Sequence, residues 1–497
     1  MELSNLESLR FFYPEIILTG TIITLALLDL VVTDKKYLGL LALGGGVFSL
    51  FTTLQLYGTS EGWLFSRMII LDNFSLFFKV IFLVAVLLVI WMSLSSHEIR
   101  QVHQGEYYTI LLTSALGMFF MASSSNLLMA YLSLEMASLT SYILTGFMPR
   151  NRRSSEAALK YLIYGAVASG SMIYGMSWIY GMTGSLDYTR INEVLLQGEA
   201  NRLGLFMAFV FILAGFGYKI VFVPFHMWSP DVYQGAPTPI TAFLSVGSNA
   251  AGVAILIRFF FPAVSHLSEG GTWLFLSGVQ WPQLLLMVSM VTMTLGNLSA
   301  LNQQNVKRLL AYSGIAHAGY ILMGLVVLNN NGLKAMLFYI VVYLIMNLGA
   351  FLVVMIVANA TGSEDIESYR GLAWRGAAIP AACMAIFLFS LAGLPPLAGF
   401  IGKFYLFAAV IEAAVSQSAF YLLAVVGVIN SLISVYYYAR IVKTMFLDSP
   451  EPTDQEIAMT SDTSALLAIL SALTVVFGVY WGPLVHYTNA SLKFFMK

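Results

Sequence analysis

The chain has 497 residues, 59% hydrophobic and 10% charged, with a mean hydropathy of +0.82; soluble domains run at roughly 45–50% apolar and 25% charged, so a water-soluble globular protein is excluded. A formal net charge of −1 and a pI near 6.6 leave no basic surface for nucleic acid and no acidic tail. The one cysteine, Cys383, lies in an apolar run, which excludes a disulfide framework and any cysteine-ligated iron-sulfur or zinc site on this chain.

In chain order, Glu2, Glu7 and Arg10 precede the first apolar run with no small-residue cleavage site, so that run is expected to be a spanning helix and not a removed signal peptide. Apolar windows of spanning length then recur, predicting about fourteen transmembrane helices centred near residues 23, 47, 84, 115, 136, 170, 216, 250, 285, 317, 345, 395, 430 and 473. Gly, Ala and Ser scattered through these segments suit closely packed helices, not barrel strands, and the fold class is an all-α polytopic membrane protein. Gly44-Gly45-Gly46 in the second span reads as close helix packing, since no strand precedes it and no Lys-Ser/Thr follows. Connections are short except around 57–72, 183–203, 359–378 and 447–461, where polar residues predict solvated loops.

Lys79, Lys160, Lys219, Arg258 and Lys403 fall within spans. Of the remaining cations, twelve lie in loops after odd-numbered spans and seven on the opposite side with both termini, which predicts termini outside the cytoplasm. Lys79, Lys334 and Arg258 read as interfacial anchors. Lys160, after Arg152, Arg153 and Glu156 near a helix start, can snorkel to the interface.

Lys219 and Lys403 differ from these. Each ends nearly the same hexapeptide, Ala214-Gly215-Phe216-Gly217-Tyr218-Lys219 and Ala398-Gly399-Phe400-Ile401-Gly402-Lys403, 184 residues apart. Tyr142–Phe147 is echoed 178 residues on by Tyr320–Leu325, and Leu159-Lys160 is echoed 174 residues on by Leu333-Lys334. This offset predicts two five-helix repeats, 106–262 and 263–446, between an N-terminal three-helix segment, 1–105, and a C-terminal loop and last helix, 447–497. An odd number of helices makes the second copy enter from the opposite face, so the repeats are inverted, as in many transporters.

A lysine near the bilayer centre costs roughly 2.5–3.5 kcal/mol on insertion scales, so one that is kept normally faces a partner or a wet cavity. Burial disfavours the charged form of an amine, which lets it give up and take back a proton. Backbone breakers stand beside both lysines: Pro224 follows Lys219, and Leu394-Pro395-Pro396-Leu397 precedes Lys403. Such breaks at membrane depth are tolerated where the freed backbone is buried in protein or lines a cavity. A packing kink is the plainer reading. Glu135, the only acid of the fifth span, is the natural counter-ion of Lys219. With Glu135 close, Lys219 holds its proton; a helix movement that separates them releases it along nearby polar groups. The alternative is a static salt bridge between two helices. Lys160, Ser169, Asn249, Ser313, His317 and Asn347 can connect the two lysines, and His317 is the foremost relay because an unperturbed imidazole titrates near 6.5; a histidine bonded to a neighbouring carbonyl is the alternative. His226 and His266 are not a zinc pair, since nothing supplies the other ligands.

The stretch from Lys219 to Pro239, with Asp231-Val232-Tyr233-Gln234-Gly235-Ala236-Pro237-Thr238-Pro239, resembles the antiporter-like subunits of respiratory complex I, and the subunit N family of NADH-quinone oxidoreductase in particular. Lys307–His317 and Gly399–Phe404 resemble that family at corresponding places. The resemblance covers essentially the whole chain and implies fourteen helices with two inverted five-helix units and broken helices. It implies a membrane subunit of a proton-pumping translocase with no cofactor on this chain, while FMN, iron-sulfur clusters and quinone belong to partner membrane and peripheral subunits. The expected setting is the lipid bilayer of a bacterial inner membrane. Glu135 and Lys219 would form the pair of the first half-channel, Lys160 would assist, and Lys403 would serve the second. The sequence departs from the pattern at Asn249, where family members often carry a lysine; the central link would then run through water, Asn249 and His317. A subunit of a multi-protein sodium/proton antiporter and a non-pumping scaffold of a respiratory complex remain as alternatives.

Overall fold

The computed structural model describes residues 4–59, 61–100, 103–198, 201–267, 273–275, 281–451, 457 and 459–496. Glu2 and Lys497, used above for the signal-peptide and charge arguments, lie outside the described residues. The chain folds into helices joined by short connections: α1 (Tyr13–Leu28), α2 (Lys36–Gln55), α3 (Asn73–Ser95), α4 (Gln104–Ser123), α5 (Leu127–Thr145) and α6 (Arg152–Thr183). After these come α7 (Arg202–Ile220), the short α8 (Ser229–Gly235), and α9 (Thr238–Val264), which contains a π-helical turn at Leu244–Ser248. The remainder comprises α10 (Trp281–Ala300), α11 (Val306–Val326), α12 (Asn330–Thr361), α13 (Ala378–Ala392), α14 (Ala398–Ala414), α15 (Ala419–Phe446), α16 (Ser461–Val479) and α17 (Gly482–Ser491).

Among the described residues, eleven helices are long and apolar enough to cross a membrane, or twelve if α1 and the Asn5–Phe11 segment, bent by 80°, make one span. The expected count of fourteen is not confirmed. Thirteen of the fourteen expected centres fall inside helices. The one near residue 395 falls on a break, where a single apolar window is divided into α13, of 15 residues, and α14, of 17.

Burial grades from the centre outward. The apolar window of α9 is 100% buried and those of α11 and α12 are 94% buried, whereas α2, α15 and α16 bury 33%. The outer helices present Val47, Phe51, Ile163, Val167, Met287, Val425 and Leu432 outward. Such an apolar rim suits lipid or the apolar face of a neighbouring membrane subunit, since neither requires polar partners. Gly45 and Gly46 serve the expected close packing: a Cβ on Gly45 would stand 2.2 Å from Thr21 of α1, and one on Gly46 2.8 Å from Leu87 of α3.

Three expectations are corrected. The 57–72 connection is not simply a solvated loop: β1 (Gly62–Leu64) pairs antiparallel with β2 (Ile69–Leu71), Gly62 opposite Leu71, and Leu64, Ile69 and Leu71 are buried with Leu56 and Leu76 in a small apolar cluster. Lys79 and Arg258 are not interfacial anchors, each being only 2% exposed. Lys79 Nζ lies 2.5 Å from Glu15 Oε1, joining α3 to α1. Arg258 grips Asp72 through both terminal nitrogens and donates from Nε to the Ala122 carbonyl at 2.8 Å. A short-stemmed cap at a helix start and a long cation in mid-helix meet there, so the charge is neutralised inside the protein instead of at the membrane surface.

Candidate functional site

Both lysines stand where a helix is cut. α7 ends one residue after Lys219, with Val221 as its cap in the left-handed region (φ +70°); for a β-branched residue that conformation is a true outlier and costs on the order of 1–3 kcal/mol. The chain then turns through Pro224 before α8 begins, and Trp228 holds the turn by stacking on Tyr161, ring centres 4.2 Å apart, while its Nε1 donates to the Tyr218 carbonyl at 3.1 Å. In the second half α13 ends at Ala392, capped by Gly393 at φ +88°, and the two prolines keep it from continuing. α14 resumes at Ala398 and presents Lys403 one turn in.

Lys219 is fully buried and its Nζ donates to Ser138 Oγ at 3.2 Å. Ser138 sits one turn from Glu135 on α5, so the two share a face. Glu135 is the only acid of α5 and so the counter-ion the sequence offers Lys219. Among the described residues, however, no ion pair joins them, and Glu135 Oε1 is buried without a hydrogen-bond partner. The static salt bridge is therefore not the arrangement present. Glu135 also lies on the same face of α5 as the outward-facing Leu128, Leu132, Leu139 and Ile143.

Lys403 has no acidic partner among the described residues. Its Nζ donates to the Ala392 carbonyl at 2.9 Å and to Ser431 Oγ at 3.1 Å, and it lies 4.7 Å from the centre of the Tyr320 ring. The carbonyl freed by the helix break thus receives the lysine itself. Close backbone packing sets this geometry: a Cβ on Gly399 would fall 1.8 Å from the Ser390 carbonyl oxygen. Gly399→Ala is expected to push α14 away from α13, costing about 1–3 kcal/mol as overpacking does; a lowered heat-inactivation midpoint of the membrane complex would register it.

Between the lysines the buried polar groups form an ordered series. On α9, Asn249 Nδ2 donates to the Ser245 carbonyl at 3.0 Å. Asn347 of α12 donates to Ser245 Oγ at 2.8 Å and to Tyr343 OH at 3.2 Å. The Tyr343 ring packs on His317, centres 5.0 Å apart. His317 Nδ1 meets Tyr339 OH at 2.6 Å and Nε2 meets Tyr438 OH at 3.3 Å, and Tyr438 OH in turn bonds Ser313 Oγ. His317 is thus held by two phenols, not by a carbonyl. Tyr320 stands between its ring and Lys403. No hydrogen bond links Lys219 directly to Asn249 among the described residues.

Ser169 donates to its own helix backbone, at 3.4 Å to the Ala166 carbonyl. Among the described residues no hydrogen bond joins Lys160 to the series. Lys160 sits at a rim, where its Nζ meets Asp231 Oδ2 at 2.7 Å and Glu156 Oε1 at 2.8 Å. Asp231 is shared with Arg308 of α11, whose Nη1 lies 2.5 Å from Oδ1. Tyr339, Tyr343 and Tyr438 are absent from the sequence reading; the four-residue spacing of Tyr339, Tyr343 and Asn347 is a signal for the first two, and nothing in the sequence marks Tyr438. Among the described residues, no group of three His, Cys, Asp or Glu side chains stands ready to hold a metal ion.

Residues 124–434, which include both lysines and all of the polar series but Tyr438, match the family described as "NADH:quinone oxidoreductase/Mrp antiporter, TM". Over 99% of its length the chain is 44% identical to NADH-quinone oxidoreductase subunit N of Anaeromyxobacter sp. (strain Fw109-5), of which it covers 98%. A chain of respiratory complex I from Thermus thermophilus with bound aureothin superimposes with a TM-score of 0.79 at 29% identity, covering 96% of this chain and 99% of that one. A chain of the Mrp complex from Dietzia sp. DQ12-45-1b gives a TM-score of 0.84 at 19% identity, covering 98% and 97%, a likeness of fold alone. With buried lysines at two helix breaks, a polar series between them and relatedness along its whole length, the chain belongs to the subunit N family of NADH-quinone oxidoreductase, the antiporter-like membrane subunits of respiratory complex I.

Proposed function

We propose that the chain moves protons across the membrane through Lys219 and Lys403, driven by quinone reduction in partner subunits of the complex. The observation that carries this reading is that each lysine is buried at a helix break and bound only by neutral groups, Ser138 in one case and the Ala392 carbonyl and Ser431 in the other. An amine so placed can release a proton to water and take one back without breaking an ion pair. When Glu135 approaches, its charge favours the ammonium form of Lys219; when it recedes, the amine hands its proton on. Asn249, Asn347, His317 and the tyrosines around it supply hydrogen-bonding stations toward Lys403. Lys160 assists from the rim by holding Asp231, in the first turn of α8.

In this reading 106–262 and 263–446 are the two inverted five-helix units, flanked by 1–105 and 447–497. The loop-charge imbalance supports placing both termini outside the cytoplasm of a bacterial inner membrane. The stripe of α5 that bears Glu135 faces a neighbouring subunit, because a carboxylate is costly against lipid. NADH oxidation, and the FMN, iron-sulfur and quinone chemistry, reside in partner subunits, and this chain holds no redox centre.

The test is Glu135→Gln in the assembled complex. The amide keeps the shape and removes the charge, so the rate of acidification of inverted vesicles is expected to fall at least threefold with an unchanged amount of intact complex. Unchanged acidification would refute a role for the approach of Glu135.

A further inference from the structure

A cavity of about 970 Å³ opens on the basic face where three spans meet: α2 begins there, α3 ends there and α16 begins there. Helix ends of this kind mark the edge of the bilayer, where headgroups replace acyl chains. The volume lies at the upper end of the roughly 300–1,000 Å³ of ligand pockets. Neither Lys219, Lys403 nor any member of the polar series between them lines it.

The cavity holds charges of both signs. Lys35 is neutralised by Asp29, whose Oδ1 lies 2.8 Å from its Nζ. Lys36 and Asp462 also line the space; both are exposed, and neither has an ion-pair partner among the described residues. Arg100 donates from Nε and Nη2 to the Leu94 carbonyl, at 3.3 and 3.1 Å, so a neutral group fixes its guanidinium at the wall. Asp34 accepts the Lys36 N–H at 3.1 Å, which fixes that carboxylate in turn. Two cations and two carboxylates thus face one space with no salt bridge among them.

The walls continue into the membrane as apolar tracks. On α3, Val84, Leu88, Trp91 and Ser95 are spaced four, three and four residues apart and share a face, and all four are only partly buried. Trp91 and Ser95 line the cavity itself. On α2, Leu40 and Leu43 line it, and Val47, next on that face, is 54% exposed. Tryptophan is the side chain that sits at headgroup level, since it joins a large apolar ring to an N–H donor.

We infer that this cavity binds a phospholipid whose headgroup carries both a phosphate and a primary amine, of the phosphatidylethanolamine kind, with its acyl chains along α2 and α3. Lys36 and Arg100 receive the phosphate, to which a guanidinium offers paired N–H donors. The ammonium, with three donors, meets Asp34 and Asp462. A purely anionic headgroup leaves both carboxylates facing like charge, and a choline headgroup has no N–H to give them. The bound lipid joins α16, near the end of the sequence, to the N-terminal three-helix segment.

The test uses the intact complex in vesicles of phosphatidylethanolamine and phosphatidylglycerol, treated with a water-soluble carbodiimide, which condenses a carboxylate with a primary amine lying against it. Digestion and mass spectrometry read the lipid adduct residue by residue. Asp34 or Asp462 is expected to carry phosphatidylethanolamine at least tenfold more often than Asp448, an acid at the other end of the α15–α16 connection and outside the cavity. Lys36→Gln with Arg100→Gln keeps both carboxylates and removes the phosphate grip, so the adduct is expected to fall at least fivefold, while Lys36→Arg retains it. An adduct no commoner at Asp34 and Asp462 than at Asp448, or one that the double variant leaves unchanged, would overturn the site. So would a cross-link from either carboxylate to a lysine of a partner subunit, which makes protein the occupant of the cavity.

Discussion

Lys219→Met is expected to reduce proton pumping by at least tenfold while the complex still assembles. Methionine fills nearly the same volume without the amine, so it leaves no cavity; it removes the bond to Ser138 Oγ, 3.2 Å long in the native protein, and the charge that faces Glu135. Lys219→Arg separates the two ways a cation can matter here. A guanidinium stays protonated at any accessible pH, so it can serve as a permanent charge facing Glu135 but cannot release a proton. If Lys219 acted as a fixed charge, the arginine variant would pump; if it titrates, the arginine variant fails as fully as the methionine one. Acidification of inverted vesicles on NADH addition, measured beside the amount of intact complex, distinguishes the two. Full pumping by Lys219→Met would end the proposal.

These residues were the most legible part of the sequence, and the reason is energetic. A lysine inside an apolar run has few structural excuses, so Lys219 and Lys403 stand out, and prolines next to them announce the breaks that the structure places there. Asn249, Asn347, His317 and Ser313 were legible for the same reason, and the fold brings all four into one series. What stayed hidden depends on partners distant in the chain. Arg258 and Lys79 look alike in sequence to cations that reach the membrane surface; only the fold supplies Asp72 and Glu15. Ser138 intercepts Lys219 because it lies one turn nearer than Glu135 along α5, a difference of a few ångströms that no residue pattern encodes. The tyrosines around His317 are invisible as polar groups in a chain with 26 tyrosines, since a phenol packs as readily as it hydrogen-bonds.

Arg258→Met is expected to cost about 3–5 kcal/mol, because it leaves the Asp72 carboxylate buried without its counter-charge. Asp72 is also the N-cap of α3, accepting the Ser75 N–H at 2.8 Å, and Arg258 reaches the end of α4 through the Ala122 carbonyl. Three helices are therefore tied at one point, and that point anchors the far part of α9, whose other end is held by the Thr238 N–H donating to Glu98 Oε2 at 2.8 Å. Loss of the anchor should lower the temperature at which half the complex aggregates in detergent and reduce its yield on native gels. Asp72→Asn alone should be similarly harmful, since it strands the guanidinium instead. The double variant, Asp72→Asn with Arg258→Met, should be less damaging than the two single effects added together, because it removes both charges and restores neutrality, and the difference measures the coupling between them. Additive losses would mean that the two side chains act independently, and that what holds α3, α4 and α9 together at this point is the packing of Arg258 on Phe74, 4.5 Å from its ring centre, rather than the ion pair.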